Sequence, residues 1–162
     1  FKTSDGGMTW MESNFALPSF EVIDPTTQGY YSLEIDPNNH NILYLGIFGK
    51  GIYKSTDGAS TWIPMYGSMG QNKDIMKKGI TQIKVNPDNS NQVYLATNDG
   101  VYFSNNGAGS WDKIGEGDIV SLVVSLDGSK LFAGKRGTGV WKTNTNNIDW
   151  VKTGGPNTKS RI

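Results

Sequence analysis

Cysteine is absent from this 162-residue sequence, and so is any long apolar run. Without cysteine the chain can form neither disulfides nor thiolate metal sites. Without about 18 consecutive apolar residues it lacks the pattern of a membrane-spanning helix. It also lacks a net charge, since 15 Lys and Arg balance 15 Asp and Glu, and it contains no Asn-X-Ser/Thr sequon. We therefore expect no disulfide, no membrane span and no N-glycosylation.

The charges are unevenly distributed along the chain. Residues 1–127 contain 8 basic and 14 acidic residues, a net charge of −6, whereas residues 128–162 contain 7 basic and 1 acidic residue, a net charge of +6. Such an asymmetry marks either a partner surface or only the solvated faces of one structural unit. The basic residues are scattered rather than gathered into a nucleic-acid motif, so no nucleic-acid partner is predicted.

One short stretch of the sequence recurs. The string KSTDGASTW at residues 54–62 is nearly repeated as KTSDGGMTW at 2–10, and in weaker form at 103–111 and 142–150. The final tryptophans lie 52, 49 and 39 residues apart, a spacing typical of repeat architectures. The Asp-Gly pair in the first string indicates a tight turn, because glycine adopts positive φ without steric cost.

Each of the last three copies ends a longer unit that reads strand, turn, strand, loop, strand, turn, strand. Four short antiparallel strands in about 40–50 residues are typical of a β-propeller blade. The sequence therefore predicts an all-β fold, a β-propeller of four-stranded blades, with about three and a half blades present. The predicted parts are a blade end at 1–15, blades at about 31–66, 80–115 and 119–152, and the start of a next blade near 160.

A partial count of blades leaves three explanations open, because a closed propeller usually needs about 4–8 blades. The chain is a segment of a longer protein, or half of a ring that a second copy closes, or a small unusual propeller. In the first two cases the remaining blades of the same chain, or a second copy, are partners of this one.

The string at residues 55–62 resembles the Asp-box, or BNR repeat, written S-x-D-x-G-x-T-W, and residues 3–10 fit it as well. The surrounding pattern is similar to the propellers of sortilin-like proteins, xyloglucan-type glycoside hydrolases and photosystem II assembly factors. The resemblance implies a structural turn between the third and fourth strands, with Asp and Ser bonding backbone amides and Trp packing between blades. It gives this role to Ser4, Asp5, Gly7, Trp10, Ser55, Asp57, Trp62, Ser104, Asn106, Trp111 and Trp150.

The resemblance places ligands on the opposite face, in loops between second and third strands and in connections between blades. Two of these connections, 16–30 and 67–79, are long, and long loops on a rigid scaffold often carry function. In xyloglucan-type hydrolases a catalytic aspartate lies in such a loop, and Asp99 occupies the matching place in what is also an ordinary Asp-Gly turn. The candidate ligand-binding residues are Phe48, Lys50, Asp74, Asn98, Asp99, Lys135 and Arg136.

Three functions remain open at this point. The chain is a secreted, cell-surface or periplasmic scaffold that binds protein or glycan, or part of a glycoside hydrolase, or an assembly-factor-type propeller whose basic end contacts a partner. Paired carboxylates in one cleft would favour hydrolysis, and stacked aromatics without such a pair would favour binding. A complete sialidase site is excluded, because the chain contains only two arginines, Arg136 and Arg161. No cofactor is predicted, and no cluster has metal-ligand spacing.

Overall fold

A computed structural model describes residues 1–12, 31–65 and 78–153. Within these ranges the strands form three four-stranded antiparallel sheets, each with its strands in chain order. The first sheet contains β1 (Tyr31–Ile35), β2 (Leu43–Ile47), β3 (Gly51–Ser55) and β4 (Ile63–Pro64). The second contains β5 (Ile80–Asn86), β6 (Asn89–Thr97), β7 (Gly100–Ser104) and β8 (Asp112–Glu116). The third contains β9 (Ile119–Val124), β10 (Lys130–Lys135), β11 (Gly139–Asn144) and β12 (Val151–Lys152).

The sheets pack face to face in chain order. The first strand of the second sheet, β5, contacts the first strands of its neighbours, β1 and β9, so the three first strands form the inner edge of the stack. One apolar cluster lies between the first and second sheets and includes Tyr44, Ile52 and Leu95. A second lies between the second and third sheets and includes Leu122 and Leu131. This is the arrangement of neighbouring propeller blades, and the predicted fold class is confirmed.

Burial on both faces explains the nearly continuous apolar runs of the second strands. In β6 all five residues from Val93 to Thr97 are buried, because alternate side chains enter the two different clusters. Residues 1–12 form a short hairpin in which Lys2 and Met11 exchange backbone hydrogen bonds of 2.8 and 2.9 Å. No helix among the described residues is long and apolar enough to span a membrane.

The turn between β3 and β4 is closed by its own side chains. Ser55 Oγ donates to Asp57 Oδ1 at 2.8 Å and accepts from the Ala59 amide at 2.9 Å. Asp57 in turn accepts from the Thr61 amide at 2.8 Å and from the Thr61 hydroxyl at 2.6 Å. Ala59 is held at φ 69°, a left-handed conformation that only a tightly bonded turn imposes on alanine.

The turn between β7 and β8 keeps this geometry with an amide in place of the carboxylate. Asn106 Oδ1 accepts from the Ser110 amide at 2.9 Å, and Asn106 Nδ2 donates to Ser110 Oγ at 3.0 Å. The Ala108 amide donates to Ser104 Oγ at 2.9 Å. Asparagine therefore supports the same turn. The Ser110 hydroxyl accepts a hydrogen bond here, whereas the Thr61 hydroxyl donates one in the Asp57 turn.

The first turn uses a different hydroxyl from the one predicted. Thr3 Oγ1 donates to Asp5 Oδ1 at 2.8 Å and accepts from the Gly7 amide at 2.8 Å, whereas Ser4 is exposed. The prediction of Ser4 as a turn residue is therefore wrong. The required hydroxyl stands two residues before the aspartate, where its side chain points back into the turn.

The fourth turn has lost most of this network. Thr143 Oγ1 still accepts from the Asp149 amide at 2.7 Å. Thr145, at the position of the aspartate, points inward instead and donates to the Gly128 carbonyl at 2.8 Å.

We predict that the Asp57 turn makes the stability of the protein sensitive to acid. Hydrogen bonds from the side chain and amide of Thr61, and then from Ser55, lower the pKa of Asp57 from 3.8 to about 2. Because the folded pKa lies below the unfolded value, the ionised carboxylate stabilises the fold above pH 4, and this contribution is lost as the pH falls from 4 to 2. The melting temperature of Asp57→Asn should therefore fall less steeply over that window than that of the wild type.

Thermal unfolding followed by circular dichroism between pH 2 and 7 measures this effect. Asp112→Asn, at an exposed position on β8, is the matched control and should keep the wild-type slope. Asp57→Ala, which removes both carboxylate oxygens of the turn, should lower the melting temperature by several degrees at pH 7. Equal pH slopes for Asp57→Asn and the wild type would contradict the prediction.

Adjacent units are joined by polar contacts that repeat from one interface to the next. Lys2 Nζ donates to the Gly58 carbonyl at 2.8 Å, and Lys54, at the equivalent position one unit later, donates to the Gly107 carbonyl at 3.1 Å. Between the inner strands, Ser32 Oγ accepts from the Ile83 amide at 3.0 Å. Gln82, the equivalent of Ser32, accepts in the same way from the Leu122 amide. Each sheet therefore fixes the position of the next.

We predict that the lysine contact contributes to stability only where a following unit is present. Lys54 Nζ also lies 5.3 Å from the ring centroid of Tyr44. Lys54→Met keeps the aliphatic stem but removes the charged donor, so it should lower the free energy of unfolding by about 1 kcal/mol. Lys142→Met, at the equivalent and exposed position of the third sheet, should change it by less than about 0.5 kcal/mol. Urea unfolding of both variants measures the difference, and equal losses would contradict it.

Candidate functional site

The short loops and the motif turns lie at opposite ends of the sheets. Strands β3, β7 and β11 each run from a short loop to a motif turn, so the loops share one end, here called the loop face. The loop face consists of residues 48–50, 98–99, 117–118 and 136–138. The fourth strands run back toward it, so the end of β8 lies there too.

Asp99 on the loop face is surrounded by hydrogen-bond donors. Its carboxylate lies 2.5 Å from Lys78 Nζ and 3.7 Å from Lys113 Nζ. Thr97 Oγ1 donates to it at 2.9 Å, and the Tyr102 hydroxyl donates at 3.2 Å. Partial burial raises the pKa of Asp99, but the hydrogen bonds from Lys78 and Thr97 and the nearby Lys113 outweigh burial and lower it below its usual range.

Glu116 approaches Asp99 through a shared lysine. Lys113 Nζ lies 2.6 Å from a Glu116 carboxylate oxygen and 3.7 Å from Asp99 Oδ2. The two carboxylates therefore lie around the same ammonium group. The hydrogen bond to Glu116 raises the pKa of Lys113, and Asp99 adds to the effect. The positive charge of Lys113 favours the ionised form of Asp99.

Arg136 and Asp118 form a second ion pair on the loop face. Arg136 Nε lies 2.5 Å from Asp118 Oδ2, and the Arg136 side chain is exposed. The Arg136 amide also donates to the Asp118 carbonyl at 2.9 Å. This double contact ties the 136–138 loop to the connection between the second and third sheets.

The remaining candidate residues are dispersed. Phe48, proposed as an exposed ligand platform, is half-buried, and its ring lies against Gly79 of the second sheet. Asn98 is also bonded to Gly79. Its backbone amide donates to the Gly79 carbonyl at 3.2 Å, and its side-chain Oδ1 accepts from the Gly79 amide at 3.3 Å. Lys50 is half-buried, and Asp74 lies outside the described residues. The charged side chains that the structure places beside Asp99 are Lys78 and Lys113, and neither was among the predicted ligand-binding residues.

A cavity of 190 Å³ lies between the second and third sheets and is walled by two tryptophans, Trp141 and Trp150. Lys135, one of the predicted residues, lies beside it with Nζ 5.7 Å from the centroid of the Trp141 ring. Glu116 is also part of its lining. A larger cavity of 570 Å³ separates hairpin 1–12 from the first sheet and is lined mainly by apolar side chains of the hairpin and β1 and β2.

Sequence reasoning missed Lys78, Lys113, Glu116 and Trp141. One signal was present for Trp141, because the equivalent residues of the other two sheets are tyrosines, Tyr53 and Tyr102. Both tyrosines are buried, at 1% and 7% exposure, whereas Trp141 is only half-buried. Among the described residues no group of three His, Cys, Asp or Glu side chains is arranged to hold a metal ion.

Comparisons with known proteins agree with this architecture. No protein-family profile matches the chain. A xyloglucanase of Hypocrea jecorina (strain QM6a) is 31% identical over a match that covers 70% of this chain and 16% of that protein. The crystal structure of an ancestral GH74 enzyme superposes with a TM-score of 0.63 at 20% identity, covering 79% of this chain and 18% of the enzyme.

A third similarity covers more of this chain. The structure of YCF48 bound to D1 peptide gives a TM-score of 0.56 at 19% identity and covers 91% of this chain and 45% of that one. The chain therefore spans less than half the length of each of these three proteins. Together with the sheet topology, these similarities show that the described sheets are blades of a β-propeller.

Proposed function

We propose that this chain is part of a glycan-binding β-propeller related to xyloglucanases, and that its loop face binds glycan without cleaving it. The observation that carries the proposal is the composition of the loop face around Lys113. The carboxylates that meet there are both paired with that lysine, and the adjacent cavity is walled by two indole rings. The similarity to a xyloglucanase supports glycan as the ligand class.

The charges of this site oppose acid–base catalysis. A glycosidase needs one carboxylic acid whose pKa is raised, so that it can protonate the leaving oxygen. The pKa of Asp99 is lowered instead, and Glu116 holds its own ion pair with Lys113. If the chain belongs to a longer glycoside hydrolase, this segment supplies binding contacts, and the proton donor comes from another part of that enzyme.

The same proposal includes the finer points of the sequence resemblance. The closed turns at Asp5, Asp57 and Asn106 are Asp-box turns with a structural role, supported by their internal hydrogen bonds. Trp111 and Trp150 pack between blades, supported by the place of Trp111 in the first apolar cluster and by the 2.6 Å bond from Trp150 Nε1 to the Ile114 carbonyl. A glycan ligand of plant cell-wall type implies a secreted protein.

Calorimetric titration of the 162-residue chain with a xyloglucan oligosaccharide tests the proposal. We expect saturable binding and no release of reducing ends over long incubation. Absence of binding to any oligosaccharide would overturn glycan recognition. Hydrolysis that disappears in Asp99→Asn would overturn the conclusion that this loop face binds without cleaving.

Protein binding is the second candidate, and the positive charge of residues 128–162 favours it. Lys130, Lys142 and Lys152 are exposed on the third sheet. YCF48 is known in a complex with a peptide, and a basic surface would recognise an acidic one. Such binding should weaken steeply between 50 and 300 mM salt, because screening removes interactions between exposed charges. Glycan binding should change little over the same range.

A further inference from the structure

We propose that the cavity beside Trp141 is a subsite for a single neutral pyranose ring, stacked on the Trp141 indole and hydrogen-bonded at the cavity rim. The inference rests on the proposed glycan binding and adds to it a position, a contact residue and a ligand size. Of the candidate ligand-binding residues predicted from the sequence, only Lys135 lies in this cavity, and Trp150 was predicted as a structural residue.

The cavity forms where two sheets diverge at the loop face. Its base consists of Val101, Ile119 and Ala133, which are at most 2% exposed. Its sides are the two indole rings, and its rim carries Glu116 and Lys135. A dry apolar base with a few polar groups at the opening is the usual composition of a small-molecule site.

Both indole rings are held in fixed orientations. Trp141 Nε1 donates to Thr138 Oγ1 at 3.2 Å, and Trp150 Nε1 donates to the Ile114 carbonyl at 2.6 Å. Since the N–H groups are already bonded, the rings offer mainly their flat apolar surfaces to the cavity. A pyranose ring has two apolar faces of C–H groups and a polar edge of hydroxyls, so it matches an apolar wall with a polar rim.

The polar groups at the rim fit a neutral ligand. Glu116 accepts hydrogen bonds and Lys135 donates them, which suits hydroxyl groups that do both. A strongly charged ligand would be attracted by one of these side chains and repelled by the other. Lys135 Nζ lies 5.7 Å from the Trp141 ring centroid, so a sugar stacked on that ring would also lie within reach of this donor.

The size of the cavity limits the ligand to one ring. Its volume of 190 Å³ is below the range of about 300–1,000 Å³ typical of pockets for larger ligands. A linear chain of several sugars would not enter it. A terminal or branching sugar would enter, while the rest of the glycan lies along the loop face.

Trp141→Ala is the direct test, with Trp10→Ala as the matched control. Trp10 belongs to the first motif turn and is 61% exposed, away from this cavity. Titrated with a xyloglucan oligosaccharide, Trp141→Ala should bind roughly tenfold more weakly, as expected for truncation of an aromatic anchor. Trp10→Ala should bind within about twofold of the wild type.

Two further measurements keep the test informative if Trp141→Ala is misfolded. Glu116→Gln and Lys135→Met change only rim groups, and each should weaken binding several-fold without altering the circular dichroism spectrum. In the wild type, the indole N–H resonance of Trp141 should shift during titration with a methyl glycoside of a single sugar, and that of Trp10 should not.

The outcomes separate this inference from the proposed function. Wild-type affinity in Trp141→Ala and both rim variants, with no shift of the Trp141 resonance, would overturn the subsite and leave glycan binding intact. Failure of the wild type to bind any glycan would overturn both.

Discussion

Replacement of Leu95 by alanine should lower the free energy of unfolding by about 2–5 kcal/mol, the usual cost of truncating a fully buried leucine. Leu95 lies in β6 of the second sheet and is 0% exposed. Its cluster also contains Tyr44 and Ile52 of the first sheet, so the cavity created would lie between two blades. The strands of each blade are fixed in place by their own hydrogen-bonded ladders, so the blades cannot deform freely to fill the void.

Urea unfolding of Leu95→Ala measures this loss. Leu126→Ala is the matched control, since Leu126 is 96% exposed and its truncation should change the free energy of unfolding by less than about 0.5 kcal/mol. A loss below about 1 kcal/mol in Leu95→Ala would show that the interface between the first two sheets does not carry the stability assigned to it.

Replacement of Gly100 by alanine should be nearly as harmful and should also disrupt the loop face. A Cβ at Gly100 would overlap the Gly115 carbonyl oxygen, which is backbone and cannot rotate away. The strand pair β7–β8, in which Gly100 faces Glu116, must therefore separate. We expect a loss of about 3 kcal/mol, at the upper end of overpacking penalties, together with displacement of Asp99 and Glu116.

Gly137→Ala separates steric overlap from backbone strain. Gly137 has φ 75° and no atom within 4 Å of a built Cβ, so it should cost only the roughly 1–2 kcal/mol of a left-handed alanine. Thermal unfolding compares the two variants, and oligosaccharide titration should show weakened binding in Gly100→Ala. Equal stability of the two variants would contradict the steric overlap predicted at Gly100.

The strands of the repeat unit were largely predictable from the sequence. In each copy a glycine between the loop and an apolar pair predicts the start of the third strand, and β3, β7 and β11 begin at Gly51, Gly100 and Gly139. These glycines follow turn residues and precede apolar residues in each copy, so the local signal is strong. The fourth strands were less accurate. The aromatic Trp62 at the end of the motif predicts the start of a fourth strand, yet β4 is only Ile63–Pro64, and Pro64 cannot donate a ladder hydrogen bond.

The loop face could be predicted in outline but not in detail. Its loops follow from the meander order of the strands, so Asp99 was assigned to the correct end of its sheet. The ion pairs of Asp99 depend on Lys78 at the entry to β5 and Lys113 in β8, which are distant in sequence. The cavity at Trp141 depends on the angle between two sheets, and no local pattern encodes that angle. The sequence predicts an exposed Phe48 because the residue lies between Ile47 and Gly49 in a loop, whereas contact with Gly79 partly buries it.

The lysine and inner-strand contacts give the interface between the first and second sheets a direction. One face of a sheet presents side chains such as Lys54 and Ser32, and the facing sheet presents backbone groups, the Gly107 carbonyl and the Ile83 amide. The two faces are chemically different, so sheets associate head to tail, which is a heterologous contact. A two-fold dimer through the outer face of the third sheet would set two lysine-bearing surfaces against each other with no carbonyl to receive them. A blade that packs there through its backbone side would give Lys142 the kind of carbonyl partner that Lys54 has in Gly107.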